Sequence, residues 1–412
     1  MAQAVGVRIP PWAHPLMKPL LLPSFWEPLL KRYIKKTFYA GTRKKGFADR
    51  EEFTEGDYRF FAEGVRRLNI AFTQERGSLP RNYFHQKDLR SGYLLYFLPV
   101  NALKVAALLA QTSPLSPLSL IRRGDGGEVR ILDLGSGSGT GMFGTFLWLE
   151  NLFKKGGALT VPLHLSWILI DQNRQALQDA TQLHEELVDH WKKTHPNWPL
   201  HSEIQTQLVD LISAPSIKVP AQSVDLVLAL NLMNELPQER RIRLIDRAMH
   251  FLKPEGRFLI MEPALQRTTR QLMELHDEIL ERNAAFVYAP CLHQSRCPML
   301  ASNHRDWCHT TIEWERPFWI GKLDHLVGIR KDYLQCSYLV LGTQPPRPVS
   351  NQRWRVVSGH LNSKGKSELL LCGPAGLPGL QRVTRLDRDW SEKNRPFDDA
   401  HRGDLLEMEK CQ

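Results

Sequence analysis

The sequence predicts an α/β protein, in which an open, doubly wound sheet follows a helical N-terminal region and precedes a β-rich C-terminal region. Between Val129 and about Met261, apolar runs typical of buried parallel strands alternate with segments of helical periodicity. The first run ends at Leu134 and leads directly into a loop with glycine at positions 135, 137, 139, 141 and 144. Because residues without a Cβ let backbone amides approach a ligand closely, this loop is the expected binding site.

The parts on either side follow from periodicity and composition. Helical periodicity dominates from about residue 24 to 110, with a kink expected at Pro99. From Trp390 the chain is polar and is expected to be partly a tail. The predicted parts are a basic helical domain at 1–112, a linker rich in Pro and Gly at 113–128, a doubly wound α/β domain at 129–285, a cysteine-rich segment with the last sheet strands at 286–345, and a β-hairpin extension at 346–412.

The chain of 412 residues has a net charge of +10, which indicates a polyanionic partner. Between Lys31 and Arg50, eight Lys or Arg residues stand against one acid, Asp49. Aromatic residues are interleaved with them, namely Tyr33, Phe38, Tyr39 and Phe47. This mixture suits RNA, whose phosphates take the charges and whose bases take the rings. A solvated helix face followed by a basic loop is the alternative interpretation.

No apolar run reaches the roughly 18 residues of a membrane helix, so no membrane segment is expected. The N-terminal sequence shows neither a signal-peptide pattern nor an Arg-rich amphipathic presequence. We therefore expect a cytoplasmic protein.

Polar residues follow four of the predicted strands, VRILDL, HLSWILID, EIQTQLVDL and SVDLVLAL. They are Asp133, Asp171, Asp210 and Asn231. Since the carboxyl ends of parallel strands share one edge, we expect these side chains beside the glycine loop. Asp171 suits two ribose hydroxyls and Asp210 suits an adenine, which would serve the adenosine of either a nicotinamide cofactor or S-adenosylmethionine.

The glycine spacing favours the second cofactor. Nicotinamide sites use Gly-x-Gly-x-x-Gly immediately after the strand. The only such match here, Gly139, Gly141 and Gly144, begins five residues past Leu134. The glycines that follow the strand directly occupy positions 135, 137 and 139, behind Asp133. A dinucleotide oxidoreductase and a tight turn without a ligand remain the alternatives.

The motif ILDLGSGSG, with ILID downstream, resembles the first two motifs of class I S-adenosylmethionine-dependent methyltransferases, whose fold has a seven-stranded sheet. The resemblance implies that Asp171 binds the ribose of S-adenosylmethionine and that Asp210, with Leu211, binds its adenine. Asn231, after the fourth strand, is a further cofactor candidate. The acid and the loop that would hold the methionine end are Asp133, Gly135, Ser136, Gly137 and Gly139.

The catalytic candidates lie in LALNLMNELP, after the fourth strand, and are Asn231, Asn234 and Glu235. This segment lacks the Asn-Pro-Pro-Tyr signature of amino-methylating enzymes, and it has no cysteine to attack a pyrimidine ring. The three side chains could hydrogen-bond a base or cap the next helix. The sequence therefore supports cofactor binding better than methyl transfer.

Four of the six cysteines are candidate metal ligands: Cys291, Cys297, Cys308 and Cys372. The first three lie within 18 residues, in a loop rich in Pro and His, and the fourth ends an apolar run before a Gly-Pro turn. Cys336, inside YLQCSYLVL, is expected in the core, and Cys411 lies in the tail.

The chemistry of these four residues leaves three interpretations open. Zinc sites usually show paired Cys-x2-4-Cys spacings, which are missing here, although histidines 293, 304 and 309 could replace thiols. The Cys-x3-Cys-x2-Cys run of radical S-adenosylmethionine enzymes is also missing. A cubane iron–sulfur cluster needs four thiolates, for which no sequence spacing is fixed. Plain structural cysteines are the third interpretation.

The run APCLHQSRCPM, followed by DWCH, a YLVL strand and LLLCGP, resembles the methyltransferase-like family of mitochondrial and bacterial small-ribosomal-subunit assembly factors. The resemblance extends from about residue 30 to GDLLEM near the C-terminus. It implies S-adenosylmethionine binding and association with immature small-subunit RNA, with methyl transfer lost or weakened in mitochondrial members. It also implies a [4Fe-4S] cluster on Cys291, Cys297, Cys308 and Cys372.

We therefore expect a class I methyltransferase-type sheet with an N-terminal helical domain and a C-terminal β-rich extension that carries a cysteine metal site. The expected function is that of a factor that binds S-adenosylmethionine and a [4Fe-4S] cluster and acts on small-subunit rRNA, with or without methyl transfer, and that is monomeric off the ribosome. An active rRNA methyltransferase and a zinc-stabilised RNA-binding protein are the alternatives. The expected compartment is a bacterial cytoplasm, with the mitochondrial matrix as the alternative.

Overall fold

The computed structural model describes residues 2–3, 7–8, 20–39, 52–73, 83–112, 127–154, 162–213, 216–374 and 379–408. Asp49, Phe47, Cys411 and residues 113–126 of the predicted linker lie outside these ranges. The helices of the described part are α1 (Trp26–Phe38), α2 (Glu55–Thr73), α3 (Lys87–Thr112), α4 (Thr140–Lys154), α5 (Arg174–Thr194), α6 (Gln238–Phe251), α7 (Gln266–Glu281), α8 (Pro298–Ser302), α9 (Phe318–Val327) and α10 (Arg395–Asp398).

The strands of the described part belong to two sheets. Those of the first half are β1 (Ala2–Gln3), β2 (Val7–Arg8), β3 (Leu20–Leu21), β4 (Gly127–Leu134), β5 (Leu163–Asp171), β6 (Leu200–Leu208), β7 (Val224–Leu230) and β8 (Leu252–Pro263). Those of the second half are β9 (Phe286–Ala289), β10 (Thr310–Glu315), β11 (Tyr333–Gly342), β12 (Arg353–Val356), β13 (Leu361–Ser363), β14 (Lys366–Cys372), β15 (Leu380–Leu386) and β16 (Leu405–Met408).

The larger sheet has the order β6-β5-β4-β7-β8-β11-β10-β3, with β9 alongside β11. Strands β4 to β8 are parallel, and β11 is antiparallel to both β8 and β10. Every residue of β7 is buried, as a parallel strand covered on both faces requires. The predicted α/β class is therefore confirmed, and β4 to β8 with β10 and β11 supply the seven strands that the methyltransferase resemblance implies.

The strand order reverses at β4, because the chain runs outward through β5 and β6 and then returns to place β7 on the other side. Ligands of such sheets bind in the crevice outside the carboxyl ends of the strands at this switch point. The crevice here lies beyond Leu134, where the glycine loop begins.

The N-terminal helices pack on one face of the larger sheet and share its hydrophobic core, together with α4 and α5. The opposite face packs against α6 and α7 in a separate core. Helices α3 and α4 approach each other closely at Gly144 of α4, where a Cβ would lie 2.5 Å from the Val105 Cβ and 2.7 Å from the Ala102 carbonyl oxygen of α3. Gly144 therefore lets α3 and α4 pack together.

Helix α3 contains one π-helical turn, Tyr93–Phe97, immediately before Pro99. Proline lacks an amide hydrogen and crowds the carbonyl four residues earlier, and a wider turn relieves that conflict. The irregularity expected at Pro99 thus takes the form of a π turn. Among the described residues, α3 is the one helix long and apolar enough to cross a membrane, and 78% of its most apolar window is buried inside the protein.

The second sheet has the order β1-β15-β14-β12-β16-β2, with β13 paired to β14. The hairpin predicted from the segments 353–361 and 367–373 corresponds to β12 and β14, which pair antiparallel; β13 lies between them in the chain, also pairs with β14, and turns into it at Gly365 with φ of +79°. The prediction of a tail from Trp390 is wrong for part of that stretch, because β16 pairs with β12 and the Leu406 side chain is fully buried. A strand of four residues is too short to stand out from polar neighbours in the sequence.

Candidate functional site

The polar residues expected at the edge of the sheet do meet there. Asp133 and Asp171 are at the ends of adjacent strands β4 and β5, and Asp210 follows β6 by two residues. Asn231 follows β7 directly on the other side of β4, in a left-handed conformation with φ of +59°. The topology therefore brings the four predicted residues to one edge, around the glycine loop.

The glycine loop owes its shape to three left-handed residues. Gly135, Gly137 and Gly139 have φ values of +68°, +54° and +90°, a region that side chains with a Cβ rarely adopt. These are the three glycines that directly follow the strand. The loop then enters α4 at Thr140, so the unpaired amides of the helix N-terminus face the same crevice.

Asp133 is completely buried, and neither of its carboxylate oxygens has a hydrogen-bond partner among the described residues. Burial raises the pKa of Asp133 well above its usual range, and the nearby charge of Asp171 raises it further. The buried hydroxyl of Ser136, in the loop, is likewise without a partner in the described part. Buried polar groups are nearly always hydrogen-bonded, so these two residues fit a site that receives a polar ligand.

Asp171 has hydrogen bonds that tie it to the glycine loop. Its Oδ2 accepts from the Gly137 amide at 2.9 Å, and its Oδ1 accepts from the Asn173 amide at 2.7 Å. Burial raises the pKa of Asp171, and these backbone donors oppose the shift. Asp210 is partly exposed and accepts from the Ile212 amide at 2.8 Å.

The segment after β7 does not cap a helix by a side chain. Helix α6 begins after Pro237, which forms no side-chain cap, so the capping interpretation of the three catalytic candidates is wrong. The Asn234 side-chain amide instead donates to Glu262, whose other oxygen accepts from the Met233 amide at 2.8 Å. The Asn234 Oδ1 is buried without a partner among the described residues, whereas Glu235 is exposed. Glu262, at the end of β8, was not expected from the sequence.

Two tyrosines of the N-terminal helical region complete the wall of the crevice, and sequence reasoning missed them. The Tyr93 hydroxyl lies 3.2 Å from the Thr140 hydroxyl, and a Cβ on Gly137 would lie 3.5 Å from it. Burial raises the pKa of Tyr93 to about 12. The charges of Asp171 and Glu235 act on both Tyr93 and Tyr83. Since no sequence motif links these tyrosines to the loop, only the packing of α3 reveals them.

Part of the basic segment, residues 31–39, is described by the structure, and several of its side chains are buried. Tyr33 and Phe38, expected to be available for bases, are buried. Lys31 and Lys35 are buried as well, with ammonium groups 5.0 and 5.4 Å from the centre of the Phe53 ring. The interpretation of these four residues as RNA contacts is therefore wrong, because the amphipathic helix turns them towards Phe53, α3 and α5.

The four candidate metal ligands line one cavity of about 50 Å³, which has room for several water-sized groups. Cys291 follows β9, Cys297 immediately precedes α8, Cys308 precedes β10, and Cys372 ends β14 of the second sheet. The cavity therefore lies where the two sheets meet. Cys336 is elsewhere, in the core of the larger sheet, as expected.

The cavity combines protonated thiols with a buried cation. Burial raises the pKa of Cys297 to about 11 and that of Cys372 to about 12, so both thiols keep their protons at neutral pH in the absence of a metal. The Arg355 guanidinium lines the same cavity, 7% exposed, and donates to the Tyr338 hydroxyl at 2.8 Å. The His293 Nε2 lies 3.7 Å from the Cys372 sulfur.

In the described part of the chain, no three His, Cys, Asp or Glu side chains converge closely enough to hold a single metal ion. Four thiols thus surround a shared space without meeting at one point. His304 is exposed, and it does not line this cavity. His309 does not line it either and packs against Arg402.

The family was identified by comparison with known proteins. Residues 129–393 match the model of the family described as mitochondrial small ribosomal subunit Rsm22. The chain belongs to the Rsm22 family. The Rsm22 match contains the glycine loop and all four cavity cysteines, and it is narrower than the resemblance expected from about residue 30 onward. A search of the curated proteins finds none that matches the chain.

Several solved structures to which the chain is similar are described as methyltransferases. An S-adenosylmethionine-dependent methyltransferase from Leishmania major is 13% identical, with a TM-score of 0.27, over 69% of this chain and 82% of its own. Magnesium protoporphyrin IX methyltransferase from Synechocystis, with bound S-adenosylmethionine, is 13% identical, with a TM-score of 0.33, over 64% of this chain and 95% of its own. A methyltransferase from Aquifex aeolicus is 15% identical, with a TM-score of 0.26, over 46% and 91%.

Proposed function

We propose that this protein binds S-adenosylmethionine and a [4Fe-4S] cluster and acts as a factor on the rRNA of the small ribosomal subunit. The observation that carries the proposal is the crevice beyond β4. There, buried oxygens on Asp133 and Ser136, which have no partner among the described residues, lie beside three left-handed glycines, in a chain of the Rsm22 family.

For S-adenosylmethionine, the residues present fit the parts of the ligand. Asp133, Gly135, Ser136, Gly137 and Gly139 would hold the methionine end, where its ammonium group gives the buried Asp133 carboxylate an opposite charge. Asp171 would bind the ribose, Asp210 the adenine, and Asn231 would close the site from the side of β7. The cofactor supplies an electrophilic methyl group when bound.

The cavity suits an iron–sulfur cluster better than a zinc ion. A zinc ion needs four ligands at about 2.0–2.3 Å from one point. A cubane cluster spreads its four thiolates over four iron atoms, which suits thiols that share a cavity but do not converge. Cys291, Cys297, Cys308 and Cys372 would hold it, and the buried Arg355 would offset part of the negative charge of the thiolates.

For the ribosome, the family description and the net charge of +10 support the same partner. On α1, Arg32 and Lys36 are exposed beside the buried lysines and remain available for phosphates. The description of the family as mitochondrial favours the mitochondrial matrix over a bacterial cytoplasm as the compartment.

Methyl transfer to rRNA is the second candidate function. The observation that favours it is the Asn234 Oδ1, which is buried and without a partner in the described part, while Glu262 fixes the other end of the same amide. An acceptor held in this way can bind the exocyclic amine of a base and orient it for attack.

The test combines three measurements on the full chain. Calorimetry should show binding of S-adenosylmethionine but not of NADH. Anaerobic purification should give a brown protein with about four irons per chain. The protein should also co-sediment with small-subunit particles at low salt.

Zinc without iron would refute the cluster, and tighter binding of NADH would refute the cofactor. Absence of particles or rRNA from the low-salt pellet would refute the ribosomal role. Labelled methyl groups in rRNA would establish the second function if they are lost on Asn234→Ala but kept on Arg353→Ala, a substitution in β12 of the second sheet, where Arg353 pairs with Glu407.

A further inference from the structure

The glycine loop is connected to the N-terminal helices through one buried acid. Asp179, in α5, is completely buried. Its Oδ2 accepts from Arg90 Nε at 2.7 Å, and its Oδ1 accepts from the Arg90 Nη2 and from the Tyr33 hydroxyl, the latter at 2.6 Å. Arg90 belongs to α3 and Tyr33 to α1, so two helices of the N-terminal region reach the same carboxylate.

The fourth group on this carboxylate comes from the glycine loop itself. The Ser138 hydroxyl, also fully buried, donates to Asp179 Oδ2 at 3.4 Å, the long end of the hydrogen-bond range. Ser138 lies between two of the left-handed glycines. Two residues further along the chain, the Thr140 hydroxyl lies 3.2 Å from the Tyr93 hydroxyl of α3. The N-terminal helices thus reach the C-terminal end of the loop twice, directly at Thr140 and through Asp179 at Ser138.

These contacts are of the kind that fixes a conformation. A bidentate arginine–carboxylate pair has a planar geometry that permits little rotation. The Arg90 guanidinium also stacks over the Phe38 ring, 4.4 Å from its centre. A glycine loop without such support samples many conformations, and ordering it on binding costs affinity.

We propose that Arg90 and Tyr33, acting through Asp179 on Ser138, are positioning residues that hold the glycine loop in its binding conformation. The inference rests on the proposed binding of S-adenosylmethionine to this loop. It extends the site from the sheet to the N-terminal helices, which lie outside the part of the chain that the family match covers.

The test measures the affinity for S-adenosylmethionine and the unfolding temperature of the full chain separately. Arg90→Met should weaken binding about tenfold, since a charge-assisted contact is lost. Arg90→Lys keeps the charge but lacks the paired N–H donors of the guanidinium, so its affinity should lie between those of Arg90→Met and the wild type. Tyr33→Phe removes one hydroxyl and should weaken binding about threefold.

The matched control is Arg67→Met, because Arg67 of α2 pairs with Asp88 of α3 in the same helical layer without contact to the loop. This variant should bind within about twofold of the wild type. The proposal is overturned if Arg90→Met and Tyr33→Phe lower the unfolding temperature but leave the affinity within twofold. If Arg90→Met does not fold, Tyr33→Phe decides alone. A wild-type protein that does not bind S-adenosylmethionine would refute the proposed function instead.

Discussion

Replacing Gly144 by alanine separates a packing role from a cofactor role for the last glycine of the loop. The new Cβ would lie 2.5 Å from the Val105 Cβ and 2.7 Å from the Ala102 oxygen. Both neighbours belong to α3, and one is a backbone atom, so relief requires a shift of a whole helix. Overpacking of this kind costs about 1–3 kcal/mol, against a gain of up to about 1 kcal/mol from alanine in a helix.

The expected net effect is a loss of about 1–2 kcal/mol, or about 1–2 °C in the unfolding temperature for a chain of 412 residues, with unchanged affinity for S-adenosylmethionine. Gly137→Ala is the matched comparison. Its Cβ would meet nothing closer than the Tyr93 hydroxyl at 3.5 Å, but its φ of +54° is left-handed. The conformational cost is also about 1–2 kcal/mol, and here the affinity should fall, because the Gly137 amide that holds Asp171 moves.

The assay is thermal unfolding by circular dichroism, paired with calorimetric titration of S-adenosylmethionine into both variants. Two variants of similar stability should then differ in affinity. If Gly144→Ala weakens binding as much as Gly137→Ala does, Gly144 belongs to the cofactor loop and the packing argument is wrong. If Gly144→Ala unfolds at the wild-type temperature, the helix contact adapts at no cost and the steric argument is refuted.

Three further predictions concern the cysteine cavity, pH and RNA. Cys372→Ser should lose most of the bound iron by elemental analysis, whereas Cys336→Ser, a core substitution, should keep it; equal iron in both would contradict the ligand assignment. Burial lowers the pKa of His184 from 6.5 to about 4, so its stabilising contribution is present above pH 6.5 and is lost as pH falls towards 4, because the unfolded state binds the proton first. The unfolding temperature measured over this window should depend less on pH in His184→Gln, and an unchanged slope would contradict this. Charge reversal at Arg32 and Lys36 should weaken rRNA binding, and the slope of log K against log salt should show about two fewer counterions released. An unchanged slope would place the contact elsewhere.

The sequence alone predicted the elements whose pattern is long and regular. The runs that became β4, β5 and β7 are continuous and apolar because both of their faces are covered, and α5 has a strong amphipathic pattern with Asn173 as its cap. The glycines of the loop were recognised because residues without a Cβ let backbone amides approach a ligand closely. Short strands such as β16 were missed, since four residues of pairing leave no periodic signal.

The sequence predicted those residues of the candidate site whose type and position alone indicate a ligand. The acids at the strand ends and the four cysteines fall where the sequence placed them. Tyr93 and Glu262 could not be found in the same way, because their roles depend on contacts between residues distant in the chain. Tyr33 was misinterpreted for the same reason: an aromatic residue among lysines suggests RNA, and only the position of Asp179 shows that its hydroxyl is already engaged.

The position of Cys372 in the second sheet has a consequence for the order in which the protein is made. The last strand of the larger sheet ends at Gly342, so during synthesis that sheet is complete while Cys372 has yet to leave the ribosome. Until then the nascent chain offers three of the four thiols, in a cavity that lacks the wall formed by β14. A cluster on these four residues would therefore load only onto a nearly finished chain, and truncated products would be recognisable by their lack of iron.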